Sequence, residues 1–328
     1  MNTPNIVITS RVRLARNVAH VPFPYLLKDE RAFGVVMKGA ENTAKALFEY
    51  DYYRISSLSD VDKNTLVERH MISSDLVSNL TNGAIIISKD ETISVMINEE
   101  DHYRIQSIVS GYDLDTAYSK AIAYESELAK HVDIAYNDKL GYLTACPTNL
   151  GTGMRASVMM FLPALTMTRS IPKLVKTVQR MGLTVRGVYG EGSDTKGYLY
   201  QLSNEVTLGL SEEDILKRLK DVVNTTIMAE VQARDTLLRA DKDAFIDKIW
   251  RAKSTLTGAY RLSSEECMEL LALVKMGAEM GLIQCDIPTI DQMNITCQPA
   301  SLTKLKGQPM SPEDRDKFRA EYIRSNWK

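Results

Sequence analysis

The sequence predicts an α+β chain, with a mostly antiparallel sheet and helices up to about residue 240 and a small all-α domain after it. Three observations predict this. Strand-like segments come in pairs joined by turn-length connections, long helices carry N-caps that can be read from the sequence, and strand patterns fade beyond about residue 240. The boundaries that follow are 1–240 for the first domain and 241–328 for the second.

The first strand pair is Ala84–Ser88 with Ile93–Asn98, entered through Asn82-Gly83 and joined by a Lys89-Asp90-Glu91 turn. Its second arm alternates apolar and polar residues. Asp133–Tyr136 with Tyr142–Ala145, around Asn137–Gly141, is expected to repeat the pattern, as is Leu183–Gly187 with Tyr198–Ser203. Ser211-Glu-Glu-Asp214 opens a helix that places Ile215, Leu219, Val222 and Val223 on one face and runs towards Leu238. Ser263/Ser264 opens a second helix, which carries Leu270, Leu271 and Val274 and ends at Gly281. Ser311-Pro312 opens a third, with proline where a first turn accepts it.

At ~100–200 residues per domain, 328 residues allow about two domains and a sizeable core. Lys+Arg 40 against Asp+Glu 42 leaves a formal charge of -2, so no bulk field draws the chain to nucleic acid or an anionic membrane. Phosphate binding must then be local. The longest strongly apolar stretch, Val158–Met167, is interrupted by Pro163 and falls well short of the ~20 residues a spanning helix needs. With no apolar h-region at the start, a soluble, cytoplasmic protein is expected. Cys146, Cys267, Cys285 and Cys297 form no C-x-x-C pair, and His20, His70, His102 and His131 have no zinc spacing. A metal, if used, should be Mg²⁺.

Four segments can carry chemistry. In Ser10-Arg-Val-Arg-Leu-Ala-Arg16, Arg11 and Arg13 share a strand face and could grip a phosphate chain; a solvated basic face would read the same. Asn98-Glu-Glu-Asp-His-Tyr-Arg104 sets three carboxylates side by side at a strand end, where like charges resist burial, although an acidic loop has the same composition. In Ala145-Cys-Pro-Thr-Asn-Leu-Gly-Thr-Gly-Met-Arg155, backbone amides could cradle an anion and Cys146 could be a favoured thiolate or an inert core thiol. Arg186–Gly197 is a glycine-rich flap bearing Glu191 and Asp194, or simply a long hairpin loop. The chain has no G-x-x-x-x-G-K-[ST], H-R-D or D-F-G, so neither a P-loop nor a eukaryotic-type protein kinase fits.

In this order the four segments resemble the phosphagen (guanidino) kinase family. The forms SRVRLAR, NEEDHYRIQ, RGVYGEGSD and QLSNEVTLGLSEEDI look closest to its bacterial protein arginine kinase branch. The first arginine motif begins at Ser10, without the helical domain that precedes it in the small-molecule enzymes. The helical tail carries Arg315-Asp316-Lys-Phe-Arg319-Ala320, similar to the branch's R-D-x-x-R-A motif.

The resemblance implies an antiparallel sheet flanked by helices, with MgATP under a clamp of Arg11, Arg13, Arg104 and Arg155 and with His70 on the nucleotide side. It implies that Glu100 and Asp194 hold the guanidinium, with Cys146 at the reactive cysteine position. Two departures stand out: the family's flap glutamate is Asp194 here, unless Glu191 takes the role, and a family arginine is replaced by Tyr189, which leaves Arg186 as a substitute phosphate contact.

A guanidinium is protonated below pH ~12 and attacks poorly until a proton leaves, so paired carboxylates suit such an acceptor. The expected function is ATP-dependent phosphorylation of arginine side chains in proteins. Arg315, Asp316, Arg319 and Ala320 are expected to form a phosphoarginine-binding site. The alternatives are a small-molecule guanidino kinase and a non-catalytic phosphoarginine adaptor. The implied partners are protein substrates with exposed arginines, including a winged-helix stress repressor, a zinc-binding activator and a Clp chaperone-protease, with a homodimer as an open option.

Overall fold

The computed structural model describes residues 5–27, 29–188 and 197–327. The chain opens with β1 (Val7–Arg16), α1 (Glu30–Leu47) and β2 (Tyr50–Arg54). Helices α2 (Asp60–Glu68) and α3 (Ser74–Ser78) lead into β3 (Ala84–Ser88), β4 (Ile93–Ile97) and β5 (Tyr103–Ser110). Next come α4 (Leu114–Leu128), a short ribbon of β6 (Tyr136–Asn137) and β7 (Gly141–Tyr142), and β8 (Met154–Phe161). They are followed by α5 (Pro163–Met167), α6 (Ile171–Arg180), β9 (Leu183–Gly187), β10 (Leu199–Asn204) and α7 (Glu212–Ala240). The elements described beyond that are helices: α8 (Lys242–Gly258), α9 (Ser264–Glu279), α10 (Ile287–Thr296), α11 (Pro299–Lys306) and α12 (Pro312–Asn326).

The main sheet runs in the order β2-β3-β4-β5-β1-β8-β10-β9, with every neighbouring pair antiparallel. Alternation along β1 gives the sheet two unlike faces. Val12 and Leu14 are wholly buried on one face, in a core that takes Val36 and Ala40 from α1, Ala121 and Tyr124 from α4, and Leu219 and Val223 from α7. Arg11 and Arg13 point the other way. On that second face, α2 and α3 cover the β2–β4 end through a separate apolar cluster of Ile55, Met71, Ile72, Leu76, Ile85, Ile87 and Met96. The middle of the face is left as a cleft.

The N-caps stand where the sequence puts them. Ser211, Ser263 and Ser311 accept hydrogen bonds from the amides of Asp214, Glu266 and Asp314, each at 3.1 Å. The hairpins β3–β4 and β9–β10 also pair as expected. The hairpin expected at Asp133–Ala145 is a correction. The ladder is shorter than expected: Tyr136–Asn137 pairs with Gly141–Tyr142 and Leu143 N donates to Ala135 O (3.0 Å), while the segment before it turns to the exit of β1, with Ala19 N on Asp133 O (2.8 Å) and Ala135 N on Asn17 O (2.8 Å). Among the described residues, no helix is long and apolar enough to cross a membrane.

Candidate active site

Register builds an arginine face at the centre of the sheet. Arg13 of β1 lies opposite Arg155 of β8 and Gln106 of β5, while Ala15 lies opposite Arg104 and Arg11 opposite Ser157. Arg11, Arg13, Arg104 and Arg155 therefore emerge on one side. Polar neighbours steer them: Ser203 Oγ accepts from Arg155 Nη2 at 3.0 Å, and Gln201 Oε1 accepts from Arg11. Burial, then the charges of Arg104 and Arg155, lowers the Arg11 pKa to about 10, and burial with the same neighbours pushes Arg13 down as well. Arg13 Nε is buried without a hydrogen-bond partner among the described residues. Cations crowded together with an unused donor describe a socket for a polyanion. Arg16, the third arginine of the motif, points to the opposite face, where it is wholly buried against Glu125 (2.5 Å) and serves structure.

Each residue of Asn98–His102 has its own task. Asn98 makes the turn with φ 54°, and Glu99 takes Arg104 Nη1 at 2.5 Å and a hydrogen bond from Ser73. Burial acts against the ionised Glu99, yet Arg104 and these hydrogen bonds hold its pKa below the usual value. Glu100 points outward and accepts from the Cys146 thiol. Partial burial and the neighbouring Asp101 carboxylate raise its pKa. Asp101 is buried and takes hydrogen bonds from Ala145 N (2.7 Å) and Asn17 Nδ2 (2.6 Å), which ties the cysteine loop to the end of β1. His102 accepts Val18 N on Nδ1 (3.1 Å) and donates from Nε2 to Pro22 O (2.8 Å), so it acts as a neutral brace.

The Cys146 loop owes its shape to two glycines. A Cβ on Gly151 (φ 98°) would lie 2.4 Å from Thr207 O, and one on Gly153 (φ 59°) would lie 2.6 Å from Arg16 Nη1. Thr207 Oγ1 pins the loop from inside by donating towards Leu150 O (2.6 Å) and Thr148 O (2.8 Å). Cys146 stays partly accessible, with Sγ 3.0 Å from Thr148 Oγ1. Arg13, Arg104 and Arg155 join Glu100 and Cys146 around a cavity of about 210 Å³.

The arginine face with a carboxylate and a cysteine at its end is the arrangement expected of a phosphoryl-transfer site for a guanidine. The comparisons agree with it. Residues 34–233 match the ATP:guanido phosphotransferase C-terminal catalytic domain, and residues 242–328 match the protein-arginine kinase McsB C-terminal domain. The chain belongs to the ATP:guanido phosphotransferase family. It is 39% identical to the protein-arginine kinase of Caldanaerobacter subterraneus subsp. tengcongensis, over 97% of this chain and 96% of that one. It is 42% identical to the protein-arginine kinase of Clostridium kluyveri, over 97% and 94%. Among solved structures, the duplicated taurocyamine kinase of Schistosoma mansoni superposes with a TM-score of 0.62 at 32% identity, covering 69% of this chain and 33% of that chain. A lombricine kinase gives 0.61 at 26% identity, covering 72% and 70%.

The structure places the other expected residues of this guanido phosphotransferase as follows. Arg186 of β9 lies opposite Gln201, which puts a fifth cation on the arginine face, and its charge helps to lower the Arg155 pKa after burial. His70, with φ 59°, borders a second cavity of about 390 Å³ that continues from Arg11 along the sheet. Burial, then Arg11, pushes its pKa down to about 4, so it is neutral at pH 7. Asp194, with Glu191 and Tyr189, lies outside the described residues. In the tail, Arg319 is buried and donates to Cys297 O (2.9 Å), Leu262 O (2.7 Å) and Asp316 Oδ1 (2.6 Å). Arg315 and Asp316 are partly exposed beside it, and Ala320 is buried.

Sequence reasoning missed Gln201, Ser203, Ser73, Asn17 and Thr207. Only Gln201 and Ser203 left a trace, as polar residues alternating with the buried Tyr200 and Leu202 on β10. The others are single polar residues in loops, and long-range packing alone gives them meaning.

Proposed function

We propose that this chain moves the γ-phosphoryl group of MgATP to the guanidinium of an arginine side chain in a protein. The observation that carries the reading is the arginine face with its unused Arg13 Nε, meeting the outward Glu100 and Cys146 at one end. The triphosphate would lie across Arg11, Arg13, Arg104, Arg155 and Arg186, with the nucleoside in the 390 Å³ cavity and the acceptor in the 210 Å³ one.

The chemistry follows from charge and position. The guanidinium docks against the Glu100 carboxylate through charge-assisted hydrogen bonds, which aim one nitrogen at the γ-phosphorus. As the N–P bond forms, the bond from phosphorus to the β–γ bridging oxygen breaks, ADP leaves and the nitrogen's proton passes to Glu100. Its raised pKa makes Glu100 a better proton acceptor than an ordinary glutamate. The arginines meet negative charge on the transferring group without having to reorganise. Mg²⁺ brought in with ATP would neutralise part of the phosphate charge. Asp194, outside the described residues, belongs to the same proposal as the second carboxylate.

The match of residues 242–328 and the protein-arginine kinase relatives favour a protein acceptor over a small guanidine. The phosphoarginine-binding role of Arg315, Asp316, Arg319 and Ala320, the cytoplasmic setting and the partners named above belong to this proposal too. The test is incubation with MgATP and either an arginine-rich unfolded protein or free arginine, followed by assay for acid-labile, base-stable phosphate. Phosphate on protein arginine is expected. Phosphate on free arginine alone would overturn the reading.

A further inference from the structure

The larger cavity is walled by both halves of the chain. Its floor is the sheet, where Ile108, Met159, Phe161 and Leu199 give an apolar surface beyond Arg11. Its opposite wall is helical: Lys275 comes from α9, and Asp291, Asn294 and Ile295 come from α10.

Several contacts hold that wall in place. Glu68, at the end of α2 and two residues before His70, accepts hydrogen bonds from Ala300 N (2.7 Å), Ser301 N (2.8 Å) and Ser301 Oγ (2.8 Å) at the start of α11. A carboxylate there meets free amides and the positive end of the helix. Lys304, further along α11, pairs with Asp62 at 2.8 Å. On the floor side, buried Lys275 pairs with Asp291 at 2.5 Å and sits 5.5 Å from the centre of the Phe161 ring. One apolar core also runs from the sheet into α9. The wall is preformed.

Its chemistry suits a nucleoside. The floor offers apolar contact to a flat ring, while Asn294 and Asp291 offer hydrogen-bonding edges to hydroxyls and ring nitrogens. Ile295 is 50% exposed at the edge of this cavity, a large apolar side chain left in water until something flat covers it.

Taking from the proposed function that ATP lays its phosphates on the arginine face, the geometry points to the second domain as a wall of the nucleotide site, with Asn294 and Ile295 contacting the adenosine. Binding of the donor is then shared between the two domains, and the helical tail takes part in catalysis directly.

Calorimetric titration of the full-length chain with ATP and, separately, with inorganic tripolyphosphate tests this. Asn294→Ala and Ile295→Ala should each weaken ATP binding by about three- to tenfold, the loss of one hydrogen bond or one apolar contact. Tripolyphosphate, which has no nucleoside, should bind each variant within about twofold of wild type. Both side chains are at least partly exposed, so the variants should fold. Unchanged ATP affinity in both variants, or tripolyphosphate weakened as much as ATP, would overturn the wall while leaving the kinase reading in place. A wild-type chain that binds tripolyphosphate but not ATP would overturn both.

Discussion

Arg13 and Arg155 stand directly opposite one another across β1 and β8, two cations on the same face of one sheet. Like charges in that position destabilise a strand pair by up to about 1 kcal/mol, so the arginine pair works against the fold. Arg13→Met should therefore raise the melting temperature of the free protein by about 1–3 °C while weakening ATP binding more than about tenfold. Thermal melts with and without ATP check both halves of the prediction.

Glu100 has a raised pKa and must be ionised to take the proton. Activity should therefore fall as the pH drops through a value above that of an ordinary glutamate, with the charged form lost on the acid side. Glu100→Gln should lower kcat by about 10²–10⁴ and remove that acid limb from the profile of kcat/KM. Activity within a few-fold of wild type would rule out Glu100 as the base.

Asp101 lines the smaller cavity and joins the cysteine loop to the end of β1 through Ala145 and Asn17. Asp101→Ala strands the buried Asn17 amide and the half-buried Ala145 N–H and should cost about 2–4 kcal/mol in urea unfolding. The conservative Asn17→Asp should disturb the same node by setting two carboxylates together. Restoring the pattern with Asn17→Asp and Asp101→Asn in one chain should recover part of the loss.

His70 is held neutral with a pKa of about 4, below the ordinary 6.5. A lowered histidine contributes stability that is complete above pH 6.5 and is lost as the pH falls towards 4, by about 3 kcal/mol at most. His70→Asn, which tolerates the positive φ, should flatten the fall in urea midpoint between pH 7 and 4 relative to wild type.

Arg319 and Arg315 should behave differently. Arg319→Ala leaves the buried carbonyls of Leu262 and Cys297 without their donor and should cost about 2–4 kcal/mol, whereas partly exposed Arg315→Ala should cost less than about 0.5 kcal/mol. Phosphoarginine affinity measured on Arg315→Ala therefore reports binding without the confounding unfolding, while Asp316→Ala, which removes the ion-pair partner of buried Arg319, is read beside its urea midpoint. Unchanged affinity in both would leave the motif a structural one.

Local rules reached a definite depth. Period-two alternation was enough to place Arg11 and Arg13 together, since it depends only on neighbouring residues, and the serine caps of α7, α9 and α12 were legible for the same reason. The pairing of β1 with β5 and β8, about 90 and 140 residues away, leaves no mark in any window of sequence. The division of labour within Glu99-Glu100-Asp101 was equally hidden, because three adjacent carboxylates differ only in what packs against them. The expected hairpin at Asp133–Ala145 forms only in a shortened version, because a distant strand end, Asn17–Ala19, takes the outer part of its backbone.

The placement of β1 also sets a timetable for synthesis. The strand that carries Arg11 and Arg13 is made before its neighbours, which follow with residues 103–110 and 154–161, and Gln201 and Ser203 come later still. A growing chain therefore carries this central strand without its first partner until β5 is made and without its second until β8 is made, in a topology whose distant pairings close slowly. The nucleotide socket closes late. Fragments cut short before β10 lack Gln201 and Ser203, the partners that steer Arg11 and Arg155.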